Sequence, residues 1–277
     1  MISESGLECR CEMCYHGRRK GWRSVFQQIT GHIYIRNCQH YTDRPNIGYI
    51  RGERAALLFD AGNSGANVAM LKEELKAAGL AMPDYLVLSH WHWDHSYGAA
   101  FWGCPVIAGR ETDRWLRSMS RWEWDDAAME KRVQTGEDIA FCCDMIRREY
   151  PDRSQIKVVP ADIVFDGKLT IDLGGVTVEL IHCRGPHSED SVLCHVPQDR
   201  FLFLGDSNCK DLYGLSWSCD IEVEGSFTAA TEALKYDREK VLDYLDLLET
   251  LDFTHCISGH SAVKTREHQL ASLREEI

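Results

Sequence analysis

Residues 89–98 read SHWHWDHSYG, and four of the six positions from His90 to His95 carry an imidazole or a carboxylate. Crowding such groups costs desolvation and repulsion unless a cation sits among them. The spacing H-x-H is wrong for one face of a helix, where neighbours lie three or four residues apart. It suits an extended or tightly turning segment, in which His90 and His92 project to the same side and face one cation. Asp94 and His95, a turn further on, would face a second. Two adjacent cations need roughly three protein ligands each and a shared water or hydroxide. The cluster therefore needs help from elsewhere, and His187 in RGPHSEDS, Asp206 in LFLGDS and His260 in SGHS are the candidates. An aspartate such as Asp206 has two oxygens and could bridge both cations. Paired divalent cations acidify a bridging water toward neutrality, so the expected chemistry is hydrolysis with no serine or cysteine nucleophile.

These residues need elements to hold them. DYLVLSH (84–90) reads as a buried strand that delivers the cluster at its C-terminal end, and Gly98 gives freedom after the turn. HIYIRNC (32–38), NIGYIRG (46–52), AALLFDAG (55–62) and CPVIAG (104–109) are further strand signals. Residues 67–78 have helical periodicity, with Gly79 as a stop. Residues 110–150 are charged, tryptophan-rich and helical in texture. Strand signals resume at QIKVVP (155–160), KLTIDLGG (168–175), VTVELIHC (176–183), DSVLCHV (190–196) and RFLFLGD (200–206). The pair Gly174-Gly175 suits an antiparallel hairpin. A helix near 237–250, the strand FTHCISGH (253–260) and a polar terminal helix complete the order. It predicts an α/β (α+β) arrangement of two antiparallel-rich sheets flanked outside by helices.

Composition sets outer bounds. The 277 residues are 44% hydrophobic with a formal net charge of −12, which makes nucleic acid an unlikely main partner. No apolar run is long enough to span a membrane, and the N-terminus lacks the apolar stretch of a secretory signal. The twelve cysteines mostly lack paired spacing, so reduced thiols in a cytoplasmic protein are expected. Cys9, Cys11, Cys14 and His16 form C-x-C-x-x-C-x-H, which could clasp a structural zinc but has no distant partner pair. The adjacent RRKGWR reads as a solvated basic patch. His32, His40, His182, His195, His255 and His268 each stand alone and read as locally packed or solvated residues.

Taken together, the positions resemble the metallo-β-lactamase superfamily. Residues 90–95 match its H-x-H-x-D-H motif, His187 its next metal histidine, Asp206 its bridging aspartate and His260 its last histidine. LLFDAGNSG (57–65) resembles its early strand and turn. The resemblance covers about residues 31–270. It implies a four-layer αββα sandwich over 31–277, carrying a helical insert at about 110–150 and preceded by an N-terminal extension (1–30). It further implies one cation on His90, His92 and His187, another on Asp94, His95 and His260, and Asp206 joining them. Asp60 either orients a ligand histidine from behind or stabilises its own turn. Asp94 is both ligand and hydrogen-bond acceptor for the attacking water. The ions would be two divalent metals, zinc by ligand chemistry, with iron or manganese also accommodated.

The activity implied is that of a metallohydrolase acting on a small ester, thioester, lactone or phosphodiester. R-G-P-H-S-E-D-S departs from the commoner G-H-T-P-G-S form and looks locally like the true β-lactamase branch. That branch, in its commonest dizinc form, has cysteine where Asp206 stands. β-Lactamase activity is therefore the alternative, and a metal-binding but non-catalytic sensor or interaction module is the reading from another class. His92 stands where the diiron flavoprotein branch uses glutamate, which disfavours redox chemistry. Trp115, Trp122 and Trp124 either line the substrate mouth or pack the insert onto the sandwich. Lys210 either pairs with an anionic substrate group or is an ordinary surface lysine.

Overall fold

The computed structural model describes residues 25–213 and 234–277. Cys9, Cys11, Cys14, His16 and the basic run after them lie outside the described residues. Among the described residues, Cys104, Cys142, Cys143, Cys183, Cys194, Cys209 and Cys256 are free thiols. No described helix is long and apolar enough to cross a membrane.

The first sheet runs in chain order through β1 (Gln27–Gln28), β2 (Ile33–Arg36), β3 (Ile47–Arg51), β4 (Ala56–Phe59), β5 (Tyr85–Val87), β6 (Val106–Gly109) and β7 (Ile163–Phe165). The second has the order β13 (Lys264–Thr265), β12 (His255–Ser258), β11 (Phe201–Gly205), β10 (Val192–Val196), β9 (Thr177–His182) and β8 (Lys168–Asp172). Among the described residues, seven α-helices connect or cover them: α1 (Gly65–Ala77), α2 (Trp93–Ser96), α3 (Arg110–Met119), α4 (Asp126–Thr135), α5 (Ala140–Glu149), α6 (Arg238–Thr250) and α7 (Arg266–Glu275).

Alternation along the strands builds the layers. Leu57, Phe59, Phe201 and Phe203 face the core between the sheets, where they meet Ile33, Ile50, Val178 and Leu180. Leu58 and Leu86 point the other way, against Leu71 and Leu75 of α1 and Ile146 of α5. Leu202 and Leu204 turn outward onto Tyr244 and Leu248 of α6 and Leu270 of α7. Because both faces are covered, central strands such as LLF and FLFL are apolar throughout. The result is the expected αββα layering.

Two expectations need correction. The first sheet is not antiparallel-rich: β1 to β4 pair antiparallel, but β4 to β7 pair parallel. Helix α1 separates β4 from β5, and the helices α3 to α5 separate β6 from β7; such crossovers return the chain in the same direction. Among the described strands of the second sheet, only β11 and β12 pair parallel. QIKVVP is not a strand either. Val158 is buried in the helical layer with Ile156 and Val159 beside it, so the apolar residues pack without a ladder, and Ile163–Phe165 pairs with β6 instead. The glycine pair is where it was expected. Gly174 (φ 86°) and Gly175 (φ 74°) form the two-residue turn between Leu173 and Val176, a conformation with both residues left-handed.

Candidate metal centre

The parallel pairings place the site. Parallel neighbours end at the same edge of a sheet, so the residues after β4 and β5 emerge side by side. There the Ser89 N–H donates to Asp60 Oδ1 across 2.8 Å. The residues after β11 and β12 do the same, with the Gly259 N–H donating to the Gly205 carbonyl at 2.8 Å. The two sheets are stitched at this edge by the Val192 N–H donating to the Ser89 carbonyl at 2.7 Å. A methyl group on Gly205 would lie 2.5 Å from Ser89 Cβ, and one on Gly259 would lie 2.3 Å from Asp206 Oδ1, so both approaches require glycine.

The seven sequence-predicted ligands converge here. Their donor atoms form two groups, His90, His92 and His187 in one and Asp94, His95, Asp206 and His260 in the other. His92 Nδ1 lies 3.0 Å from His187 Nε2. Asp94 Oδ2 is 2.9 Å from His95 Nε2 and 3.1 Å from His260 Nε2. Asp206 Oδ2 is 3.4 Å from both of those nitrogens and 3.9 Å from His187 Nε2, so it faces both groups. His92 ends the extended segment and Asp94 and His95 lie in the single turn α2, which gives the two-sided display expected from their spacing.

Neighbouring groups fix which atom each imidazole turns inward. Asp60 Oδ2 accepts the Nδ1–H of His95 at 2.7 Å. Ser89 Oγ donates to the same carboxylate at 3.0 Å and lies 2.9 Å from His90 Nδ1. His187 Nδ1 donates to the Lys210 carbonyl at 2.8 Å. The Nε2 atoms of His90 and His95 and Oδ1 of Asp206 are thereby left buried without a hydrogen-bond partner. Buried polar atoms rarely stay unpaired, and a cation among these atoms would satisfy them.

The electrostatics agree with that fit. Burial, then the neighbouring imidazoles, holds His90 and His92 well below the ordinary histidine range, so they are neutral with lone pairs free. In the other group burial opposes charge, yet Asp94, Asp60 and Asp206 outweigh it and lift His95 well above its usual value. His260 is likewise raised to about 9 against its burial, by Asp206, Asp94 and Asp43. One group thus offers neutral nitrogen ligands, and in the other carboxylates surround His95 and His260, whose protons a divalent cation would displace.

The sequence profile of the metallo-beta-lactamase superfamily matches residues 41–260. The chain belongs to that superfamily. Members are usually hydrolases, and this one carries the candidate metal ligands described above. Solved structures agree on the fold. A metallo-beta-lactamase from Pontibacter korlensis superposes with a TM-score of 0.60 at 18% identity, over 91% of this chain and 99% of that one. A stereoselective inverting sec-alkylsulfatase from Pseudomonas sp. gives 0.61 at 16% identity, over 91% of this chain but 41% of the sulfatase. A Cronobacter sakazakii metallo-beta-lactamase gives 0.56 at 13% identity, over 91% and 88%. No curated protein sequence matches the chain significantly.

Around this superfamily site, the other sequence candidates are placed unequally. Trp115, 39% exposed, stacks on Trp91 at 4.4 Å between ring centres and 15° between planes. Trp91 in turn meets the His92 ring edge-on at 4.6 Å. Trp122 and Trp124 instead clasp the Arg132 guanidinium at 4.4 and 4.8 Å, within the helical region. The Lys210 ammonium lies over Tyr236 and 3.8 Å from Glu276.

Other residues at the site were not singled out from the sequence. Asp190, buried, accepts from the Trp91 N–H (3.0 Å), Thr112 Oγ1 (2.8 Å) and Ser188 Oγ (2.5 Å), tying the first ligand loop, α3 and the His187 loop together. Its only signal was a charge three residues past His187. Asp43 has left-handed backbone (φ 55°), and its Oδ1 is 3.8 Å from His260 Nδ1. Burial and then Asp94 raise it to about 7. Tyr213 stacks on His92 at 4.9 Å, and its hydroxyl donates to Asp138 Oδ1 at 3.4 Å.

Proposed function

We propose that this protein is a dinuclear metal-dependent hydrolase that opens a small ester, thioester, lactone or phosphodiester substrate. The observation that carries this reading is the position of Asp206 Oδ2, within 4 Å of nitrogens from both ligand groups. His90, His92 and His187 would hold one ion, Asp94, His95 and His260 the other, and Asp206 both. When bound, the ions, zinc by the predominance of imidazole ligands, would supply an acidified water and polarise the substrate oxygen. Asp94 is held at Oδ2 between His95 and His260, which keep it ionised against its burial. Its remaining oxygen is the acceptor for a hydrogen bond from the attacking water. Asp60 and Ser89 hold His95 and His90 in the tautomers that point Nε2 inward. The substrate is a small molecule rather than a nucleic acid, consistent with the acidic balance of the chain.

Metal analysis followed by hydrolysis of p-nitrophenyl esters, bis(p-nitrophenyl) phosphate and a chromogenic cephalosporin tests the proposal. About two ions per chain and turnover of an ester or the phosphodiester are expected. Asp94→Ala should lose turnover while keeping the wild-type circular dichroism spectrum, and undiminished activity in that variant would overturn the mechanism. Turnover of the cephalosporin alone would make the protein a β-lactamase. Two bound ions with no turnover on the whole panel would make it a sensor.

A further inference from the structure

We infer, building on the hydrolase reading above, that the substrate is an uncharged carboxylic ester whose acyl part carries a flat apolar group, seated on the aromatic column Trp115–Trp91–Tyr213 beside His92. The column is continuous. Trp115 stacks on Trp91, Trp91 lies 5.0 Å from Tyr213, and both Trp91 and Tyr213 contact the His92 ring. Trp91 is anchored through its backbone and Tyr213 through its hydroxyl. Asp190 accepts the Trp91 N–H, and the Tyr213 hydroxyl reaches Asp138 Oδ1 and Cys142 Sγ. Trp115 is the open end, one of few large apolar side chains left exposed among the described residues. A stacked aromatic surface that ends at a candidate ligand offers offset or edge contact to a flat ring.

Charge selects against an anionic substrate. Asp94 and Asp206 stand among the candidate ligands, with Asp60 and Asp43 beside them, so an anionic substrate would meet a carboxylate-rich site. Among the described residues, no lysine or arginine forms an ion pair with Asp43, Asp94, Asp138 or Asp206. Lys210, the cation nearest in sequence to Asp206, is engaged with Glu276 and Tyr236, and Arg132 is enclosed by Trp122 and Trp124. The reaction is simple ester hydrolysis. The water oxygen bonds to the carbonyl carbon, the bond from that carbon to the alcohol oxygen breaks, and a water proton leaves on the alcohol.

The test compares kcat/KM of the metal-loaded protein on p-nitrophenyl phenylacetate, p-nitrophenyl acetate, mono-p-nitrophenyl succinate and bis(p-nitrophenyl) phosphate. The phenylacetate should exceed the acetate about tenfold, as one aromatic contact allows, and the anionic succinate should fall below the acetate. Trp115→Ala should collapse the phenylacetate-to-acetate ratio toward one, through KM, and Trp115→Phe should retain most of it. Preference for the succinate or the phosphodiester, or an unchanged ratio in Trp115→Ala, would overturn this inference and leave the hydrolase reading standing. Failure on every ester and on the phosphodiester would instead strike the hydrolase reading itself.

Discussion

The Asp60 carboxylate and the His95 imidazole are joined by a 2.7 Å hydrogen bond in which both side chains are almost fully buried. Through Ser89, the same carboxylate also reaches His90, which belongs to the other ligand group. One buried aspartate therefore orients an imidazole in each half of the site. Its left-handed backbone (φ 70°) is one that aspartate and asparagine tolerate, so the position can be probed without breaking the turn.

Asp60→Asn keeps an acceptor for His95 but removes the charge. It should weaken metal binding at both positions by about tenfold or more, as such outer partners commonly do. Ser89→Ala should weaken the position that uses His90 more than the other. Competition against a chromophoric chelator would read both effects, and identical binding curves for wild type and variants would remove the orienting role.

Asp190 is expected to matter for stability. Replacing it with alanine strands two buried donors, the Trp91 N–H and Thr112 Oγ1, each at about 1–3 kcal/mol, and frees the part-buried Ser188 hydroxyl, so the loss should be at least about 2 kcal/mol. Thr112→Val removes only the link to α3 and should cost about 1 kcal/mol. Urea denaturation of the two variants would show it. Near-equal losses would mean that the contact with α3, rather than the carboxylate, dominates.

Asp138 supplies a pH signature away from the metal ligands. Burial is the main cause that raises its carboxyl to about 6, although the Ile139 N–H and Arg132 oppose it. The folded state then holds this proton at pH values where the unfolded chain has lost it. Its contribution to stability is fully present below about pH 4, declines as pH rises to about 6, and is flat above that. Asp138→Asn keeps the acceptor for Ile139 and lacks the proton equilibrium. Its stability relative to wild type should rise across that interval by about 3 kcal/mol. Denaturation curves at pH 4 and pH 7 with the same difference between the two proteins would contradict this.

Much of the ligand set could be read from the chain because metal chemistry restricts residue types locally. Four ligand-type side chains within His90–His95 leave few other uses, and His187, Asp206 and His260 each follow a strongly patterned strand. Ser89, Asp43 and Asp190 gave no comparable sign, since a serine or aspartate in a loop is ordinary. Their roles arise from partners far along the chain: Asp190 meets Trp91 across 99 positions and Thr112 across 78. The tryptophans show the same limit. Composition could not separate Trp115, stacked toward the site, from Trp122 and Trp124, which enclose Arg132.

By itself, the amino-acid order determined most strands and helices, through alternation and turn residues, and the inventory of ligands, through type and spacing. Tertiary structure alone decided that β4 and β5, and likewise β11 and β12, run parallel and end at one edge. It also decided which nitrogen of each histidine turns inward and which aromatic rings stand beside them. The division has a physical cause. Periodicity and backbone preference act over a few residues, whereas a buried carboxylate finds its donors only after segments far apart in the chain have packed together.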